Sequence, residues 1–113
     1  MRLKSSLWVS AYLRRCNGEG VFAAVVQRGA EEAGAIFIKV NRLDGTADLF
    51  APAPQSLLDD EMAAARSFSH VTAAGAEPDV DAYLVRQRKF DSDLWIVEVE
   101  DRAGRNFIDG VVA

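Results

Sequence analysis

Asp44-Gly45 stands between two runs that read as strands, and no other feature constrains the fold of this chain as tightly. Before it, Ala35 to Asn41 places Ile36, Ile38 and Val40 on one face and Phe37, Lys39 and Asn41 on the other, the repeat of a strand. After it, Thr46 to Ala51 follows as another strand. Asp-Gly accepts the positive φ of a tight turn, so the segment predicts an antiparallel hairpin. Parallel pairing would need a crossover of about a dozen residues. Val21 to Gln27, rich in valine and alanine, is a further strand. The polar loop from Arg28 to Gly34 joins it to Ala35–Asn41, and the economical reading is another hairpin, giving a three-stranded antiparallel meander.

Ala51-Pro52-Ala53-Pro54 ends that meander, because proline cannot donate to a ladder and restrains the residue before it. Helical periodicity flanks the strands. Trp8, Val9, Tyr12, Leu13 and Cys16 cluster on one side of a helix capped by Ser5 or Ser6, with Asn17-Gly18 as its left-handed stop. Glu77-Pro78-Asp79 opens another helix, whose apolar face holds Val80, Tyr83, Leu84, Gln87 and Phe90. Asp79 and Asp81 suit its positive end, and Arg86, Arg88 and Lys89 its negative end. Between them Ser56 and Asp59 resemble a capping box opening a short helix from about Leu57 to Arg66. Ser67 to Thr72 reads as a strand and Ala73 to Ala76 as a loop. Leu94 to Glu100 is a strand with Trp95, Val97 and Val99 on one face. A turn at Asp101–Arg105 then returns the chain through Asn106–Asp109 as a closing hairpin. The whole is one α+β domain over residues 1–113, an antiparallel sheet of about five strands with two or three helices packed mainly on one face.

Composition narrows the function classes. The 113 residues are half apolar and 27% charged, the balance of a chain with an ordinary core. A net charge of −4 supplies no basic field for a nucleic-acid backbone, so that partner is disfavoured. One cysteine allows neither an intrachain disulfide nor a cysteine-based metal cage. The apolar stretch Leu7 to Leu13 is too short and too interrupted for a secretory signal or a membrane span. A cytoplasmic protein with no membrane contact is therefore expected.

No residue pattern names a reaction. Cys16 projects from an apolar helix face, where cysteine behaves as a small buried hydrophobe, not a thiolate. His70, the one histidine, lies in a strand without a fixed partner. Gln87, on an apolar face, needs partners for its amide, and a backbone group at a helix–sheet junction is the expected one. The glycines match neither a phosphate-binding loop nor a nucleophile elbow. Glu98 and Glu100 share one strand face two residues apart. Paired carboxylates can do acid–base work or hold a hard cation, yet alternation of this kind also marks the solvated face of a one-sided sheet. Lys39 is the matching oddity in its own strand and is expected to share a face with Glu98 or Glu100. If a ligand site exists, Lys39, Asn41, Arg42, Glu98 and Glu100 would form it, for a polar or anionic metabolite. No catalytic residue, metal ligand or cofactor is assigned.

Two segments, AVVQRGAEEAGAIFIKVNRLDGTADLF at 24–50 and AYLVRQRKFDSDLWIVEVEDR at 82–102, together with the opening LWVSAYLRR, are similar to a family of small alphaproteobacterial proteins. That family is a domain of unknown function of about this length. The stretches IKVNRLDG (38–45) and DLWIVEVEDR (93–102) carry the resemblance, which covers nearly the whole chain. It implies a cytoplasmic bacterial protein and transfers no activity, cofactor or site residue. The function expected from all this is a non-enzymatic interaction or accessory module, working through a protein partner or self-association as a homodimer. Apolar strands that leave an exposed edge motivate it. The alternative is the small-ligand or enzymatic domain just described. A third reading, nucleic acid held by Arg86, Arg88 and Lys89, predicts steeply salt-dependent binding.

Overall fold

A computed structural model describes residues 3–54 and 66–112. The elements run α1 (Ser5–Gly18), β1 (Phe22–Gln27), β2 (Ile36–Asn41), β3 (Thr46–Pro52), β4 (Phe68–Ala76), α2 (Glu77–Phe90) and β5 (Trp95–Glu100). The short helix expected from about Leu57 to Arg66 falls almost wholly on residues outside the described ones. The five strands form one mixed sheet in the order β1-β5-β2-β3-β4.

The Asp44-Gly45 hairpin is present. Asn41 pairs with Ala47, and Leu43 and Gly45 take the positive φ values that close the turn. Asp44 Oδ1 accepts the Thr46 amide at 2.9 Å, an Asx-type lock on the loop. The meander, however, is β2-β3-β4. The β1–β2 hairpin does not form, because β5 inserts between those strands, antiparallel to β1 and parallel to β2. The glycines that suggested a tight turn have another purpose. A Cβ on Gly29 would lie 2.2 Å from the Asp93 carbonyl oxygen and one on Gly34 2.4 Å from it. They let the β1–β2 connection cross the backbone that feeds β5. Ala30 N–H donates to that carbonyl at 2.8 Å, and the Trp95 indole N–H donates to the Ala30 carbonyl at 2.8 Å.

The same insertion removes the closing hairpin. With both of its edges occupied, β5 has no position for a returning strand. Arg105 instead folds back onto Asp101, and the chain crosses α1, where the Tyr12 hydroxyl donates to the Asn106 carbonyl at 2.5 Å and Arg15 reaches the Phe107 carbonyl at 3.1 Å. It ends along β4, with the Phe68 amide donating to Gly110 and the Val112 amide to Phe68. That tail covers the start of the β4 edge.

Residues 73–76, expected as a loop, extend β4 through register shifts opposite Asp48. Buried Asp48 makes the irregularity tolerable by accepting the Ala74 amide, which the bulge takes out of the ladder.

Both faces of the sheet are covered, so the expectation of helices mainly on one face is corrected. On one face Val9, Tyr12 and Cys16 of α1 pack with Ile36, Ile38, Val40, Phe50, Phe68, Trp95, Val97 and Val99. On the other, Val80 and Leu84 of α2 pack with Phe37, Ala47, Leu49, Leu94 and Ile96. Apolar residues at both parities of β2 and β5 carried this information: strands apolar on both faces are buried on both. The α1 start is capped by neither serine side chain. The Ser5 and Ser6 amides donate to the Glu32 and Glu31 carbonyls of the β1–β2 connection, and the left-handed residue after the helix is Gly20, not Gly18.

Candidate functional site

The parallel register of β2 and β5 sets Lys39 beside Glu98 and Asn41 beside Glu100 on the α2 face. Glu77 and Asp81, one helical turn apart on α2, point down at them. Lys39 Nζ donates to Glu77 Oε2 and Asp81 Oδ1 at 2.7 Å each and stands 3.5 Å from Glu98 Oε1. The Asn41 amide nitrogen donates to Glu77 at 3.1 Å and Glu98 at 3.3 Å. Lys39 is a buried ion, with its side chain 5% exposed, not the surface partner its strand position suggests. Burial pulls the Lys39 pKa down, but its hydrogen bonds to Asp81 and Glu77 and the Glu98 charge outweigh that and hold the pKa above the usual lysine value. A protonated amine facing three carboxylates is neither nucleophile nor base, and its charge is already balanced. The arrangement ties α2 to the centre of the sheet.

Two of the candidate residues stand apart from that cluster. Glu100 is half-buried and makes no ion pair among the described residues. Arg42 belongs to the opposite face, where its guanidinium grips Asp48 through Nε at 3.2 Å and Nη2 at 2.8 Å. Sequence reasoning missed Asp48, Glu77 and Asp81. The last two had a usable signal: at i and i+4 they flank the buried stripe Val80–Leu84, so side chains there can reach the sheet as well as complement the helix dipole.

Other singled-out residues find ordinary surroundings. Cys16 is wholly buried, and that burial pushes its thiol pKa up, away from thiolate chemistry. His70 stacks on Phe50 with ring centroids 4.4 Å apart, its Nε2 4.0 Å from Asp48 Oδ1. The Gln87 side chain makes no hydrogen bond among the described residues; Gln27 makes the backbone bond expected of it, to the Leu94 carbonyl at 3.2 Å. Among the described residues no group of three or more His, Cys, Asp or Glu is placed to hold a metal ion, and no helix is long and apolar enough to cross a membrane.

A second region lies along β1. It is an end strand of the sheet, and no described segment pairs with its outer edge. Its six residues, FAAVVQ, carry no charge and no proline, and Phe22 and Val26 are 61% and 57% exposed. Because α2 sits over β3 and β4, a groove remains between α2 and β1. Its inner part, about 180 Å³, is lined by the apolar Val26, Leu84, Val85 and Ile96 and by the charged Lys39, Asp81, Arg88 and Glu98, so two of the expected site residues border it. Its outer part, about 470 Å³, is rimmed by Arg28, Arg88 and Lys89.

The family model for a protein of unknown function, DUF1491, matches residues 3–109. The chain belongs to the DUF1491 family. It is similar over 100% of both chains, at 38% identity and a TM-score of 0.81, to the crystal structure of a DUF1491 family protein from Caulobacter crescentus. It is 46% identical to protein Atu0922 from A. tumefaciens, whose solution structure superposes with a TM-score of 0.81 over 97% of this chain and 95% of that one. No curated protein matches it. These DUF1491 relatives share the fold over its full extent, and the family description assigns no activity.

Proposed function

We propose that this DUF1491 protein is a non-enzymatic interaction module whose docking element is the outer edge of β1. One observation carries the reading: an uncharged, proline-free, apolar strand ends the sheet with its outer edge unpaired among the described residues. Natural sheets normally protect such edges with charge, proline or a covering segment. At the opposite end of the sheet the C-terminal tail covers β4 at Phe68, whereas no described segment covers any residue of β1. Strand addition supplies main-chain hydrogen bonds, and side-chain pockets beside the edge supply selectivity.

The Lys39 cluster weighs against one form of the competing reading. A site for an anionic metabolite at Lys39, Asn41, Arg42, Glu98 and Glu100 would need a cation to offer. Lys39 is balanced by Glu77, Asp81 and Glu98, and Arg42 by Asp48 across the sheet.

Site-specific photo-crosslinking tests the proposal. A photoreactive residue at Phe22 or at Val71 on β4, expressed in Caulobacter crescentus, which has a relative of this protein, should give discrete adducts from Phe22 and none from Val71. Adducts equal in yield from both positions, or from neither, would refute it.

A further inference from the structure

We infer that the segment accepted by β1 is an extended acidic peptide, seated with apolar side chains over the groove and a carboxylate at the rim formed by Arg88 and Lys89. This rests on the docking role of β1 and adds the chemistry of the partner. The register gives the first part of the argument. Phe22 and Ala24 pair with Glu100 and Glu98, so they lie on the α2 face, and the shift after Val25 brings Val26 into the groove wall. Phe22, Ala24 and Val26 thus form an apolar row that α2 leaves uncovered. An added strand would set its alternate side chains beside that row.

Charge gives the second part. In a chain of net charge −4, Arg88 and Lys89 stand together at one lip of this groove. Among the described residues neither makes an ion pair, whereas Lys4, Arg15, Lys39, Arg42 and Arg105 all do. Arg88 lines both the inner and the outer groove, while Arg28 carries its guanidinium 5.0 Å from the Trp95 ring, on the α1 face. Asp81 and Glu98, which line the inner groove, are bound to Lys39, and Asp91 accepts the Asp93 amide at 2.9 Å. Glu100 makes no ion pair among the described residues and lies beside Phe22, at the end of the row away from that lip. An apolar row leading to unpaired cations is complementary to a strand with apolar residues at alternate positions and a carboxylate at the end of that same row. A second copy of β1, which is uncharged, would leave those cations unanswered.

The probe is the terminally blocked hexapeptide Ser-Val-Ser-Val-Ser-Glu, which sets both valines and the glutamate on one strand face, with the counterpart carrying lysine for glutamate as control, titrated into the isotope-labelled full chain. Amide shifts should concentrate in Phe22–Arg28 and near Val85–Lys89. The Arg88→Glu/Lys89→Glu variant, altered at two exposed positions, should bind at least tenfold more weakly while keeping its spectrum. The inference falls if the lysine peptide binds as well, or if inorganic phosphate shifts the rim while the acidic peptide leaves β1 unmoved. It also falls if the Phe22 adduct is a dimer of this chain, or if Phe22 adducts to another protein persist undiminished in the double variant. In these last two cases β1 is still the docking edge and the acidic partner alone is wrong. Loss of all Phe22 adducts from the unaltered protein removes the docking role itself.

Discussion

Replacing Lys39 with methionine probes whether the buried ion pins α2 to the sheet. The apolar stem is largely conserved, so the change removes the ammonium and leaves Glu77, Asp81 and Glu98 facing one another. Two charge-assisted hydrogen bonds are lost, each worth about 1.5–3 kcal/mol where the partners are desolvated. The acceptors are 31% and 52% exposed, so water recovers part of that loss. The expected destabilisation is about 2–3 kcal/mol at neutral pH, or roughly a 10 °C fall in Tm for a domain of this size. Urea unfolding followed through the buried Trp95 measures it, with an unchanged m-value as the sign that only stability moved. Acidification supplies the control. At about pH 2, below the ordinary carboxylate range, the repulsion left by the substitution is gone, and the gap between variant and parent should close to under about 1 kcal/mol. A loss below about 0.5 kcal/mol at neutral pH, or a gap that does not narrow in acid, would refute the pin.

Tyr12 sets the alkaline behaviour. Burial is the main reason its pKa lies above 10.0, with Cys16 adding to it. The unfolded chain therefore releases this proton first, so the contribution is complete below about pH 10 and declines as pH rises further. Tyr12→Phe should cost about 1 kcal/mol at neutral pH, by losing the bond to Asn106, and flatten the slope above pH 10 by about 1.4 kcal/mol per pH unit. Equal slopes in equilibrium unfolding would contradict this. Gly29→Ala should destabilise by about 3 kcal/mol or prevent folding, since its Cβ meets backbone at 2.2 Å. Gly18→Ala, with open space around it inside α1, should stabilise by about 0.5 kcal/mol. Thermal melts of the pair decide between a crossing glycine and a flexible one.

Local signals were the legible ones. The 3.6-residue period of Val80–Leu84, the alternation through Trp95–Val99 and the Asp44-Gly45 turn each depend on neighbours in sequence, and each produced the element it predicted. What could not be read was the position of β5. Nothing local in FAAVVQ or IFIKVN states that a strand some sixty residues later will separate them, and the glycines at 29 and 34 fit a turn as well as a crossing. Once β5 is placed between β1 and β2, three further differences follow: the absent closing hairpin, the tail across α1 and the mixed sheet. The site followed the same division. Lys39 and Glu98 were matched by strand parity, while Glu77 and Asp81 came from a helix whose docking face no strand pattern reports. The separation of Arg42 from the cluster was readable in parity, since position 42 lies out of phase with 39 and 41.

The insertion of β5 also sets the order in which the molecule can be made. As the chain leaves the ribosome, β1 emerges with no strand able to pair with it. β2, β3 and β4 can assemble as consecutive hairpins while the slot beside β2 stays empty. Only after residue 100 has cleared the exit does one segment satisfy both edges at once, and contacts of such long sequence separation form slowly. Throughout that interval β1 offers two unpaired apolar edges instead of one. Synthesis is thus the period in which this chain is most exposed to wrong pairing and most in need of a chaperone.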